Sequence, residues 1–475
     1  MRGTPPWRKL RGDPDPSSSF GKGPASLAKQ SFDLPMLPTR GDTGRDRAVI
    51  LKAIQPDDPS ESSSEIDAVG EIKALADTAG VDIVDVIIQR RQKLHPGTYV
   101  GKGKLAELKE RAAAAEVKVV IVDDALTPRQ GRNIEESSEL RVVDRTELIM
   151  DIFARNAKSH QAKLQVELAQ LKYSSQRLKR MWTHLSRMEG GMVGTRGPGE
   201  TQLETDRRII KAKIDVLKER LEEIEQQRET QHKGRADAFR VALVGYTNAG
   251  KSTLLRALTG ADVLVENRLF STLDTSTRQW LLEGSREVLL SDTVGFIRKL
   301  PPGLVASFQA TLMEAREAEI LLHIVDASSP SMDFDIESVR ETLAAVGCGE
   351  HRTILVFNKI DRVDDHHRID LQHLLAENPH SIAISAAEGI GLVGAGSVSE
   401  RVLEVLHEKE TVVEYLLPHV RSDLVNQLHR LAKVLEQGYE NDGVRVRVRI
   451  SPEERGRFEG MLVAAGLAPK AEAAG

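Results

Sequence analysis

Eight residues, Gly245-Tyr-Thr-Asn-Ala-Gly-Lys-Ser252, constrain this chain more than any others, because they follow an apolar run, residues 239–244, and open a helical stretch at Thr253. Two glycines with four residues between them let the backbone curl around phosphate oxygens, while loop amides and the helix N-terminus supply positive potential. Such a loop works only between a buried strand and a helix. Strands and helices do alternate from Phe239 to about Glu408, as a doubly wound parallel sheet requires. In that setting Lys251 is expected to bridge the β- and γ-phosphates and Ser252 to offer its hydroxyl to Mg²⁺.

Three further segments stand in the order that chemistry demands. Phe270-Ser-Thr-Leu-Asp274 supplies Phe270, Ser271, Thr272, Leu273 and Asp274, and Thr272 is the candidate second Mg²⁺ ligand. The apolar strand from Glu287 delivers Asp292, Thr293, Val294 and Gly295, with Asp292 in the outer shell of the Mg²⁺ and the Gly295 amide directed at the γ-phosphate. A strand from Arg352 to Phe357 ends in Asn358, Lys359, Ile360 and Asp361. The Asp361 carboxylate can accept hydrogen bonds from guanine N1 and its exocyclic amine, a pair adenine lacks, and Ser385, Ala386 and Ala387 would present a backbone N–H to guanine O6. The expected nucleotide site is therefore Gly245, Tyr246, Thr247, Asn248, Ala249, Gly250, Lys251 and Ser252 with these three segments, and its catalytic members are Lys251, Thr272 and Gly295. GTP and GDP are the expected ligands. Phe296 stands where a water-orienting glutamine is expected, so hydrolysis should be slow unless a partner, a cation or a rearranged loop completes the site. Asn248 is the candidate ligand for K⁺; it is equally readable as a turn residue.

Outside this region the chain has room for more than one core. Its 475 residues suggest about three domains at roughly 150 residues each. Residues 1–46, rich in Gly, Pro, Ser, Lys and Arg, read as a flexible tail, and residues 47–158 as a small α/β subdomain. Within it, Gly97-Thr-Tyr-Val-Gly-Lys-Gly-Lys-Leu105 is either an anion-binding loop or simply a strand-to-helix connection. In residues 159–232, Leu164, Leu168, Leu171, Leu178, Trp182 and Leu185 keep a 3-4 rhythm. So do Leu203, Ile210, Ile214, Leu217, Leu221 and Ile224, which predicts a helical hairpin with a glycine-rich tip, Gly190 to Gly199. Ten Lys or Arg against four Asp or Glu from Lys172 to Lys213 make it locally basic, either as an RNA-facing patch or as the wet face of a coiled coil. The G domain spans 238–408. Residues 409–475 read as a small α+β domain with a helix around Val425 to Leu435 and an alternating strand, Val444 to Ile450, whose Arg445, Arg447 and Arg449 share one face. Net charge is −5, so no global bias toward nucleic acid exists, and the single cysteine, Cys348, suits a reducing, cytoplasmic setting. No run is long and apolar enough to suggest a transmembrane segment.

These residues resemble the HflX-type GTPases of the wider Obg–HflX group, over about Arg47 to Arg457. The most specific similarities lie outside the nucleotide motifs: Thr98-Tyr-Val-Gly-Lys-Gly103, Val143-Asp-Arg-Thr146, Lys163 to Tyr173, and Gly197 to Arg208. The resemblance implies a monomeric cytoplasmic GTPase that uses Mg²⁺ and associates with the large ribosomal subunit, through the basic hairpin, to split or rescue ribosomes under stress or to assist their biogenesis. It also implies a hydrophobic residue in the glutamine's place, which Phe296 satisfies. Ser174 and Ser175 depart from it, standing where apolar residues are expected. The alternative is a nucleotide-gated switch acting on a non-ribosomal partner.

Overall fold

Apolar runs too continuous for a half-wet strand build the first sheet. The computed structural model describes residues 45–56, 68–188, 198–233, 239–261, 269–270, 275–282, 286–298, 309–467 and 471–473. Its first elements are β1 (Asp46–Ile54), α1 (Gly70–Thr78), β2 (Val81–Arg90), α2 (Lys102–Ala114), β3 (Val119–Val122), α3 (Pro128–Ser138), β4 (Arg141–Asp144) and α4 (Arg145–Asn156). The strands are parallel in the order β2-β1-β3-β4. Ala48 and Ile50 enter one core and Val49, Leu51 and Ala53 the other, so β1 is covered on both faces and needs no polar alternation. Lys52 is the exception, buried against Asp123 at 2.9 Å. The loop after β2 uses its amides internally: Gly97 N and Thr98 N donate to His95 Nδ1, and Gly101 N donates to Gln89 Oε1. That favours the connection over the anion-binding loop.

Two long helices follow, α5 (His160–Met188) and α6 (Pro198–Lys233). Leu164, Leu168 and Leu171 meet Ile210 and Leu217 along one seam, flanked by Ile214, Leu221 and Ile224. Helix α5 runs through Ser174 and Ser175 without a break. The side chains of Leu178, Trp182, Leu185 and Leu203, and residues 189–197 of the tip, lie outside the described residues. At its base the hairpin is tied to the first sheet. Asp144 caps α4 through Glu147 N and also accepts from Tyr173 Oη at 2.8 Å and Arg177 Nη2 at 2.7 Å. Arg177 Nη1 reaches Glu147 at 3.1 Å, and its guanidinium stacks 4.3 Å from the centre of the Tyr173 ring.

The second sheet contains β5 (Arg240–Gly245), α7 (Lys251–Thr259), β6 (Ser276–Leu282), β7 (Arg286–Asp292), α8 (Gln309–Arg316), β8 (Ile320–Asp326), α9 (Met332–Ala345), β9 (Thr353–Asn358), α10 (Asp365–Glu377), β10 (Ile382–Ala383) and α11 (Val398–Lys409). Its order is β10-β9-β8-β5-β7-β6. Five strands are parallel, and the edge strand β6 is antiparallel to β7. Only residues 283–285 separate β6 from β7, too few for the crossover a parallel pair needs.

The last sheet, order β12-β13-β11-β14, is antiparallel and is made by β11 (Thr411–Leu417), α12 (Ser422–Leu431), β12 (Lys433–Glu440), β13 (Gly443–Ile450), α13 (Pro452–Ala464) and β14 (Ala471–Ala473). The helix expected to reach Leu435 stops at Leu431. Residues 433–440 are instead a strand, joined to β13 by the two-residue turn Asn441-Asp442 before Gly443, a hairpin signal that the apolar Val434 and Leu435 masked. The arginine face of β13 is engaged within the sheet. Arg445 pairs with Glu414 and Glu440, and Arg447 lies 3.8 Å from Glu436. No helix among the described residues is long and apolar enough to cross a membrane.

Candidate nucleotide site

The phosphate loop, Asp292 to Gly295 and Asn358 to Asp361 follow the carboxyl ends of β5, β7 and β9, where an open α/β sheet leaves a crevice. The loop between β5 and α7 turns through Gly250 at φ 100°, and a Cβ there would collide with the Asn358 amide. Asn358 is the splice between segments: its Nδ2 donates to Ala249 O at 2.8 Å, and its Oδ1 accepts from Ala386 N at 2.9 Å. One buried amide thus ties the phosphate loop to both base-proximal loops. Ser385 Oγ donates to Asp361 Oδ1 at 2.6 Å and so fixes the carboxylate's orientation. Lys359, at φ 65°, pairs with Asp326 at 2.6 Å, while Ile360 N donates to Ile384 O. Ala387 is exposed at the same turn.

At the phosphate end Lys251 is buried, its Nζ donating to Gly245 O at 3.0 Å and Tyr246 O at 2.8 Å. Burial pushes its pKa down to about 8, with Lys359 lowering it further and Asp292 opposing the shift. Ser252 Oγ donates to Asp292 Oδ2 at 2.6 Å. A hydroxyl and a carboxylate side by side are the hard oxygen donors that Mg²⁺ takes when most of its shell is water and phosphate. Thr293 Oγ1 is tied to Leu243 O. Asn248 sits at φ 62°, a conformation that asparagine tolerates at turns.

Val294, Gly295 and Phe296 run directly past the loop. Phe296 N donates to Gly245 O at 3.1 Å, and Thr247 N donates to Phe296 O at 2.8 Å. The Phe296 ring is only 2% exposed and packs with Ala242, Val244, Ala315 and Leu321. Phe270 is also buried, edge-on to Phe153 at 4.6 Å, and Asn156 Nδ2 donates to its carbonyl. Ser271, Thr272, Leu273 and Asp274 lie outside the described residues.

Sequence reasoning missed what the first sheet brings here. Tyr246 Oη donates to Glu71 of α1 and accepts from Arg298 N at 2.9 Å. Arg145, 3% exposed, pairs with Asp123 at 2.6 Å and Glu71 at 2.8 Å and donates to Arg298 O at 3.1 Å. Arg298 itself pairs with Asp335 of α9 at 2.7 Å. The backbone just after Gly295 is therefore held at both its N–H and its carbonyl. The available signal was Val143-Asp-Arg-Thr146, a charged pair at the end of a buried strand.

Known proteins resemble this chain over most of its length. Three family models match in succession: GTP-binding GTPase N-terminal over residues 67–154, GTP-binding GTPase Middle Region over 156–235, and 50S ribosome-binding GTPase over 240–359. The chain is 42% identical over 425 residues to the GTPase HflX of Caldanaerobacter subterraneus subsp. tengcongensis, which covers 88% of this chain and 94% of that protein. It is 43% identical over 390 residues to the GTPase HflX of Escherichia coli, covering 81% and 90% respectively. The solved GDP complex of a GTP-binding protein from Sulfolobus solfataricus aligns over 76% of this chain and 99% of its own, at 24% identity and a TM-score of 0.40.

Proposed function

The chain belongs to the HflX family of GTPases, and on that premise we propose that it is a Mg²⁺-dependent GTPase whose nucleotide state governs binding to the large ribosomal subunit through the α5/α6 hairpin. The observation that carries the reading is the Asn358 splice, which makes the phosphate loop and the base-proximal loops one rigid receptor. In this reading Lys251 bridges the β- and γ-phosphates, the Gly295 amide addresses the γ-phosphate, and Asp361 reads the guanine edge. Ser252 and Thr272, with Asp292, would hold Mg²⁺, which would supply positive charge to the phosphates. Asn248 would hold K⁺, which would add the positive charge that an arginine finger supplies elsewhere. Ribosome splitting, rescue or biogenesis is the work such a switch performs, in the cytoplasm and as a monomer.

The family description of residues 240–359 names 50S binding, and the middle-region family spans the hairpin itself. Its basic residues favour RNA, because phosphate contacts release counterions. One experiment tests both halves of the proposal. Asp361→Asn replaces a two-acceptor carboxylate with an amide, so guanosine nucleotides should be lost and xanthosine nucleotides gained. The variant should then co-sediment with the large subunit when given a non-hydrolysable xanthosine triphosphate analogue and not with the guanosine one. Retained guanosine affinity removes the base-reading assignment. Nucleotide exchange without any effect on co-sedimentation leaves the switch acting on a different partner.

A further inference from the structure

Phe296 cannot orient water, and its ring is buried away from the site, so the hydrolytic water needs another side chain. Thr247 is the unspent candidate. Its Oγ1 is buried and has no hydrogen-bond partner, an arrangement that costs free energy unless something binds there. The residue stands beside the two groups assigned to the γ-phosphate: a Cβ added to Gly295 would lie 2.7 Å from the Thr247 methyl carbon Cγ2 and 3.2 Å from Lys251 Nζ. Thr247 also lines a cavity of about 220 Å³ bounded by Glu71, Arg298, His323, Ser329 and Asp335. Its lining mixes polar and apolar surface, and the volume takes several waters at about 30 Å³ each. The backbone that positions Thr247 is fixed, since its amide donates to Phe296 O.

We propose that Thr247 is a catalytic residue of GTP hydrolysis, its hydroxyl holding the attacking water in line with the γ-phosphorus. The proposal rests on the nucleotide placement given above. The water oxygen forms the new bond to phosphorus as the bond from phosphorus to the β–γ bridging oxygen breaks, and that electron pair stays on GDP. One water proton passes to a γ-phosphoryl oxygen. Thr247 accepts a hydrogen bond from the water and keeps its own proton throughout, so it orients rather than deprotonates.

Two variants and two readouts test this. Thr247→Val keeps the shape and the methyl contact to Gly295 but removes the hydroxyl, and Thr247→Ser keeps the hydroxyl. Single-turnover GTP hydrolysis should fall at least about tenfold in Thr247→Val, with GTP and GDP affinities within about threefold of the parent, and should return to within about threefold in Thr247→Ser. Parent-like turnover in Thr247→Val overturns the proposal. So does an equal loss in both variants, because the methyl and not the hydroxyl would then matter. If hydrolysis and GTP affinity fall together in Thr247→Val, the residue serves binding and the catalytic role is wrong. A parent chain that binds no guanine nucleotide would instead remove the placement on which the proposal stands.

Discussion

Lys251 is a charged group that the fold holds at a disadvantage until a phosphate arrives. Its pKa of about 8, set first by burial, lies below the ordinary lysine value of 10.5. The sign of the consequence is fixed. Between about pH 8 and 10.5 the unliganded folded chain holds fewer protons at this position than the unfolded chain, so this group makes folding more favourable as pH rises through that window. A triphosphate restores the charged form, so binding takes up a proton there and almost none below about pH 7. Calorimetric titration with GTP at pH 8.5, in two buffers of different ionisation enthalpy, should show uptake; identical apparent enthalpies would refute it. Lys251, Ser252, Asp292 and Asp361 were legible in the sequence because their chemistry depends on spacing within short segments. Glu71 and Arg145 were not, because Tyr246 and Glu71 are 175 positions apart and no local pattern connects them.

Among the elements, the hairpin was the most legible and β12 the least. A 3-4 apolar rhythm sustained over several turns has one stable solution, a seam, and Leu164, Leu168, Leu171, Ile210 and Leu217 form it. The eight residues of β12 owe their conformation to pairing with β13, and their apolar Val434 and Leu435 read as a helix extension in isolation. What aims the hairpin is the cluster at its base. Asp144 is fully buried and Arg177 is three-quarters buried at its side chain. Arg177→Ala should therefore cost about 2–3 kcal/mol, less than a fully buried pair because Arg177 keeps some contact with water. Urea denaturation measures this. The same variant should weaken large-subunit co-sedimentation while sparing GTP affinity, since the partners of Arg177 are Asp144, Glu147 and Tyr173, all outside the nucleotide segments. A stability loss without any change in co-sedimentation would show that the hairpin's aim does not depend on this anchor.

At the scale of the whole molecule, one hydrophobic cluster ignores the division between the first two sheets. It joins Ile50, Ile72, Phe153 and Val166 to Phe270, Val294 and Ile297, and a string of polar contacts runs beside it from Lys52 through Asp123, Arg145 and Glu71 to Tyr246. Tyr246→Phe keeps the ring and removes the hydroxyl that Glu71 and the Arg298 amide share. Loss of about 1.5–3 kcal/mol is expected, because a charged group and a backbone N–H each lose a partner. Thermal unfolding checks it, and an unchanged midpoint would show that water replaces the hydroxyl at no cost. The polar stretch from Gln231 to Arg235 looks like the place to cut this chain when only its catalytic half is wanted. A fragment beginning there would carry every nucleotide motif, yet it would bare Phe270, Val294 and Ile297 and leave the Arg298 carbonyl without Arg145. Rates measured on such a fragment describe a molecule with a different core: the packed cluster that reaches the residues beside the phosphate loop begins at Ala48, nearly two hundred residues before the loop itself.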